Sequence, residues 1–232
     1  MLYFACMKNK FKECGLTVTD AELDMFEEYY GLLTVYNDKF NITAIKGRED
    51  VYKKNFIDSV LFADKIKGKT LIDIGSGGGF PAIPLKIIKP ELSVTMIEAT
   101  GKKCEFLQAV VDKLELKDVK VLNGRAEDYA KKEGYRENYD VCTARAVARL
   151  NVLAEYCLPF VKIGGEFTAY KAKAEEELKE ALHAIKTLGG CVKEVVNRKL
   201  FEFDRTAIII EKVFKTDGKY PRANGKIKSK PL

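Results

Sequence analysis

Hydrophobic positions change their spacing near residue 70. Before it, Leu23, Phe26, Tyr30, Leu33 and Phe40 recur at helical intervals and give one apolar face. Thr19, with Glu22 three positions on, supplies a capping box for the start of that helix. A polar break over residues 37–45 precedes a second helical segment, 49–66, whose Phe56, Val60 and Leu61 point to a core. The aromatics Tyr29, Tyr30, Tyr36 and Phe40 are read as packing against the rest of the chain rather than as stacking platforms for bases. From residue 70 onward short apolar runs alternate with helical patterns. Strands are expected over 70–74, 93–98, 119–123, 139–144 and 166–170, with helices over 81–88, 102–116, about 150–161 and 175–188 between and after them. Two last strands, 192–203 and 206–213, are close enough to pair antiparallel around Asp204-Arg205. The alternation predicts an α/β fold: a seven-stranded, mostly parallel sheet ending in an antiparallel hairpin. It divides the chain into an N-terminal helical extension (1–66), a sheet domain (67–214) and a C-terminal arm (215–232).

Composition narrows the setting. The 232 residues are 47% hydrophobic and 32% charged, and no run of eighteen apolar residues suggests a membrane span. The start, Met1-Leu2-Tyr3-Phe4-Ala5-Cys6-Met7-Lys8, is too short and too soon charged for a signal peptide. Six scattered cysteines form no C-x-x-C pair, so neither a metal site nor a disulfide framework is expected, and a reducing cytoplasm fits. The net charge of +6 is concentrated at the end of the chain. There Lys215, Lys219, Arg222, Lys226, Lys228 and Lys230 face one acid, Asp217, for a net of +5. Such an arm suits a phosphate backbone; the competing reading is a solvated, frayed terminus.

The candidate chemistry gathers where the first strand ends. Asp73-Ile74-Gly75-Ser76-Gly77-Gly78-Gly79-Phe80-Pro81 reads as strand, glycine turn and helix start, a place where backbone can approach a ligand closely. Phe80 occupies the position of a dinucleotide fingerprint's third glycine, which turns the reading from NAD toward another adenosine-bearing cofactor. Glu98, nineteen residues after Gly79, ends the second strand, where a carboxylate can take the ribose hydroxyls or simply meet solvent. Asp73 either orients the turn or meets the cofactor's amino group. Ala126 and Glu127 follow the third strand and can flank an adenine ring, although Glu127 or Asp128 can equally cap the next helix. Arg145 ends the fourth strand, aimed at a carboxylate or phosphate, or paired with Glu127 or Asp73. The single histidine, His183, falls in a helix away from these strand ends, and there is no G-K-[ST] P-loop. An S-adenosylmethionine-type cofactor needs neither, because its sulfonium already activates the methyl group. A small-molecule or protein methyltransferase, and a non-catalytic RNA-binding module with a relict pocket, remain the alternatives.

Over nearly its full length the sequence resembles the bacterial 16S ribosomal RNA methyltransferase G family, also called glucose-inhibited division protein B. The resemblance rests on residues 37–45, Asp58-Ser59, residues 73–85, Glu98, Lys102-Lys103, Arg125-Ala126-Glu127, Arg145-Ala146-Val147 and the tail from Tyr220-Pro221-Arg222 to Pro231-Leu232. It implies a class I, Rossmann-like fold and methyl transfer from S-adenosyl-L-methionine to N7 of a guanine in the 530 loop of 16S rRNA. By position, Gly75, Phe80, Ala126, Glu127 and Arg145 match the family's cofactor contacts. Asp73, Gly77, Gly79 and Glu98 complete the expected set. Guanine N7 presents an unprotonated lone pair, so no general base is required; Arg145 and Lys171 are candidates for positioning only. The chain also lacks the Asn/Asp-Pro-Pro-aromatic motif suited to exocyclic amines and the Pro-Cys nucleophile suited to pyrimidine C5. RNA contact is expected at Lys102, Lys103, Arg205 and Arg222, with 16S rRNA or the small ribosomal subunit as partner and a monomer as the working form. Two positions depart from the family: Asn55 where a histidine is usual, and Ala82 where glycine is.

Overall fold

The computed structural model describes residues 2–145, 147–172 and 174–232, with backbone alone for residues 2–4. Two long helices, α1 (Leu2–Glu13) and α2 (Asp20–Phe40), are followed by a short helical run made of α3 (Arg48–Val51), a π-turn (Tyr52–Ile57) and α4 (Asp58–Val60). Then come β1 (Thr70–Ile74), α5 (Ala82–Ile88), β2 (Ser93–Glu98), α6 (Gly101–Lys113), β3 (Val119–Asn123) and α7 (Ala126–Tyr129). The chain continues through β4 (Tyr139–Arg145), α8 (Leu150–Cys157), β5 (Val161–Lys171), α9 (Glu175–Thr187), β6 (Gly190–Leu200), β7 (Phe203–Lys212) and α10 (Asn224–Ser229).

The strands form one sheet in the order β3-β2-β1-β4-β5-β7-β6. β1 to β5 pair parallel, and β7 runs antiparallel between β5 and β6. Strand order reverses between β1 and β4, which opens a crevice at their carboxyl ends. Register lines up what sits there: Asp73 lies opposite Thr143, Glu98 opposite Asn123, and Arg145 opposite Tyr170.

Because strand side chains alternate between faces, Leu71 and Val141 join one core while Ile72 and Cys142 join the other. The first core is aromatic: Phe11, Phe26, Tyr29, Phe56 and Phe106 bring α1, α2 and the π-turn into one layer with α5 and α6. The second packs α8, α9 and α10 through Leu153, Cys157, Phe160, Ile185 and Ile227. The capping box at Thr19 forms as expected, with Glu22 bonded to both the Thr19 amide and its hydroxyl.

Several details differ from the sequence reading; β5, for one, begins at Val161, inside the stretch expected to be helix and turn. Tyr29, not Tyr30, is the buried tyrosine of α2. The helical run after residue 48 widens into a π-turn, in which the Asp58 amide reaches back to the Lys53 carbonyl. The final hairpin turns at Phe201-Glu202 rather than at Asp204-Arg205, with Leu200 opposite Phe203 and Phe201 taking the left-handed conformation at φ 55°. The C-terminal arm is not a solvated strand of charge: the Arg136 guanidinium holds the carbonyls of Thr216, Asp217 and Tyr220, and α10 buries Ile227 completely.

Candidate functional site

The glycine turn after β1 is built by backbone demand. Gly75, Gly77 and Gly79 sit at φ 70°, 57° and 89°, where a side chain is strained. Their surroundings separate them. A Cβ on Gly75 would stand 2.9 Å from Val147 in the crevice, whereas one on Gly79 would stand 2.5 Å from the Tyr29 hydroxyl and 2.6 Å from Ile83. Gly75 and Gly77 therefore border the crevice, and Gly79 faces the helical layer. At Gly79, expected among the cofactor contacts, the missing side chain makes room for α2. Phe80 explains the absent third glycine of a dinucleotide fingerprint. Its ring stacks on Tyr29 at 5.6 Å and lies beneath the Arg145 guanidinium at 5.2 Å, so it joins the aromatic core while edging the crevice.

Glu98 lies across from the turn. Its Oε2 accepts the Gly77 amide and its Oε1 the Thr100 amide, each at 2.9 Å, which aims the carboxylate at the crevice mouth beside Lys103. Asp73 lies below and lines no part of the crevice. One oxygen accepts the Thr143 hydroxyl at 2.7 Å, the other is buried without a partner, and burial pushes its pKa up to about 7. Of the two roles expected for it, this placement favours the one beneath the turn.

One arm of the crevice continues past Gly75 between Ile74, Ile97, Ala126 and Glu127. This is a narrow slot with apolar walls and one carboxylate, suited to a flat heterocycle with polar edges. Its far wall is Tyr156, Asn224 and Lys228, two of them from α10.

The other arm opens beyond Arg145 into a cavity of about 360 Å³ lined by Ile45, Lys54, Asp58, Phe62, Tyr170, Lys171 and Arg205. Arg145 borders this cavity and the crevice beside the glycine turn, but not the slot. Its guanidinium donates to Asp58 at 2.9 Å, to the Asn55 side-chain oxygen at 3.1 Å and to the Lys54 carbonyl at 3.0 Å. Neither Glu127 nor Asp73 is its partner. Arg205 holds the second oxygen of Asp58 at 2.8 Å, so one buried carboxylate fixes two arginines. Lys171 donates to Glu177 at 2.6 Å and to the Ala148 carbonyl at 2.8 Å. The phenols of Tyr29 and Tyr170 are buried, and burial raises both above the ordinary tyrosine range, so neither is poised as a base.

Asp58 is the residue that sequence reasoning left without a role. Its signal is a charge inside the apolar run Phe56-Ile57-Asp58-Ser59-Val60-Leu61-Phe62, where a lone carboxylate needs a cationic partner. Of the expected RNA contacts, Lys102 lies over the Phe40 ring at 5.1 Å, and Lys103 and Arg205 border the crevice and the cavity. Arg222 does not belong with them. Its Nε and Nη2 bond Glu155 at 2.8 and 2.6 Å, and Glu155 is wholly buried, so this guanidinium anchors the tail. His183 is exposed on α9.

Comparison with known proteins gives a consistent picture. Residues 22–205 match the family model described as rRNA small subunit methyltransferase G. A ribosomal RNA small subunit methyltransferase G from Clostridium kluyveri is 42% identical over 236 residues and covers 100% of both chains. One from Leuconostoc mesenteroides is 48% identical over 225 residues, 94% of each chain. Among solved structures, a methyltransferase from Pyrococcus furiosus aligns with a TM-score of 0.58 at 17% identity, covering 80% of this chain and 96% of that one, a likeness of fold.

Proposed function

Since the chain belongs to the rRNA small subunit methyltransferase G family, we propose that it methylates 16S rRNA with S-adenosyl-L-methionine, at N7 of a guanine in the 530 loop. The observation that carries this reading is Arg145 standing between two spaces. One is the glycine-bordered crevice, which continues into the slot flanked by Ile97 and Ala126. The other is a cationic cavity large enough for a base.

The residues present suit the cofactor. Gly75 leaves open the space that a Cβ would fill, and the Glu98 carboxylate, held by two amides, keeps lone pairs for a ribose diol. The slot between Ile97 and Ala126 takes the adenine, and Arg145 or Lys103 faces the amino-acid end. Bound there, the cofactor supplies a methyl group already activated by its sulfonium. The protein's part is to hold, orient and exclude water. Phe80 and Phe62 provide apolar surface, and Arg145, fixed by Asp58, sits at the junction without needing to reorganise. Guanine N7 has no proton to lose on attack, which agrees with a junction bordered by arginine and lysine rather than by a poised base. The substrate is RNA of the small ribosomal subunit, and the protein works as a cytoplasmic monomer.

The test is incubation with labelled S-adenosylmethionine and either deproteinised 16S rRNA or small subunits, followed by nucleoside analysis. N7-methylguanosine in the 530 loop is the expected product. Label on another atom, or none despite intact binding of S-adenosylhomocysteine, overturns the substrate assignment.

A further inference from the structure

The basic tail carries a second role that its charge conceals. We propose that α10 belongs to the cofactor site, with Asn224 and Lys228 closing the adenine slot; this rests on the reading of the crevice as an S-adenosylmethionine site.

Three anchors place the helix. Arg136 ties residues 216–220 to the loop before β4 through backbone carbonyls. Arg222 is forked onto buried Glu155 of α8. Ile227, completely buried, docks α10 into the core beneath the sheet. A frayed terminus would show none of these. Their joint effect is to hold one face of α10 against the slot. Asn224 and Lys228 are one helical turn apart, so they share that face, and both border the slot that Ile97, Ala126 and Glu127 line from the other side.

The chemistry of the pair fits a purine. The Tyr156 hydroxyl donates to Asn224 Oδ1 at 2.7 Å. That bond fixes the amide and leaves its NH2 group as a donor toward the slot, and adenine ring nitrogens are acceptors. Lys228 is exposed at its end, so its stem can lie along a ring while the ammonium stays in water. The tail thus completes the wall of the nucleoside slot.

Calorimetry on the full chain with S-adenosylhomocysteine and with adenosine tests this. Wild-type protein that binds neither ligand refutes the cofactor reading itself. Given wild-type binding, Asn224→Ala should raise both dissociation constants by the same factor, about three- to tenfold, the range for one hydrogen bond. Lys228→Ala should raise them by a smaller factor, and Lys230→Ala, outside the slot, should leave them unchanged. Hydrogen exchange of the wild-type α10 amides should slow when S-adenosylhomocysteine is added. Asn224→Ala and Lys228→Ala proteins with native melting and wild-type affinities overturn the proposal. If either variant fails to fold, unchanged exchange in wild-type α10 overturns it instead.

Discussion

Asp73 shows how one residue couples the site to pH. Its carboxylate is buried with one oxygen unpartnered, and burial lifts its pKa to about 7, above the roughly 3.9 of an unfolded chain. The folded state therefore holds its proton to higher pH than the unfolded state does. Between those values the native form binds more protons, so this group's contribution favours folding at low pH and declines as pH rises through about 7. Asp73→Asn removes that dependence. Its urea midpoint should match wild type below pH ~4, exceed it by a growing margin as pH rises to about 7, and keep that margin at higher pH. Arg145 makes a different case. Its position at a strand end was legible as a cation facing the crevice, but Asp58, 87 positions away, was not legible as its partner. Arg145→Ala leaves Asp58 with Arg205 alone and empties the boundary between the crevice and the cavity. We expect kcat/KM to fall at least about tenfold, the equivalent of one charge-assisted hydrogen bond, and stability to drop by about 1–3 kcal/mol in denaturant titration.

Among the elements, α2 and the glycine turn determine each other. Helical spacing allows Leu23 and Phe26 to be followed by either Tyr29 or Tyr30 on the apolar face. The turn decides, because the Tyr29 hydroxyl donates to the Gly78 carbonyl. Tyr29→Phe should cost about 1–2 kcal/mol, since a buried carbonyl loses its donor, and should weaken cofactor binding by loosening the turn. Gly79→Ala should be worse, because φ is 89° and the new Cβ would overlap both the Tyr29 hydroxyl and Ile83. Adding Tyr29→Phe to Gly79→Ala should recover part of that loss, a non-additivity that thermal melts of the four proteins would measure. The hairpin displacement has the same origin as the Tyr29 choice. Asp204 and Arg205 are ordinary turn-adjacent residues by local preference, yet Arg205 is held in register by Asp58.

For the whole molecule, the concentration of charge in the tail did not reveal what each of its cations does. The tail is basic, but Arg222 neutralises a buried carboxylate rather than facing a phosphate. Arg222→Ala should therefore destabilise the fold by about 3–5 kcal/mol, the cost of a buried ion left alone, and weaken S-adenosylhomocysteine binding. If the variant is held folded by cooling, the salt dependence of its rRNA binding should keep the wild-type slope; a slope reduced by about one unit would return Arg222 to the RNA surface. The Glu155 partner lies 67 positions upstream, on a helix whose local pattern gave no reason to expect a charge inside.

The succession of strands and helices along the chain, the glycine turn and the carboxylate at Glu98 were determined by the sequence alone, because periodicity and the need for positive φ are demands written into neighbouring residues. The pairings Arg145–Asp58, Arg222–Glu155 and Tyr29–Gly78 were decided only by the tertiary structure. A buried charge or hydroxyl must find a partner, but which one it finds depends on how the helical layers close over the sheet, and no spacing along the chain records that.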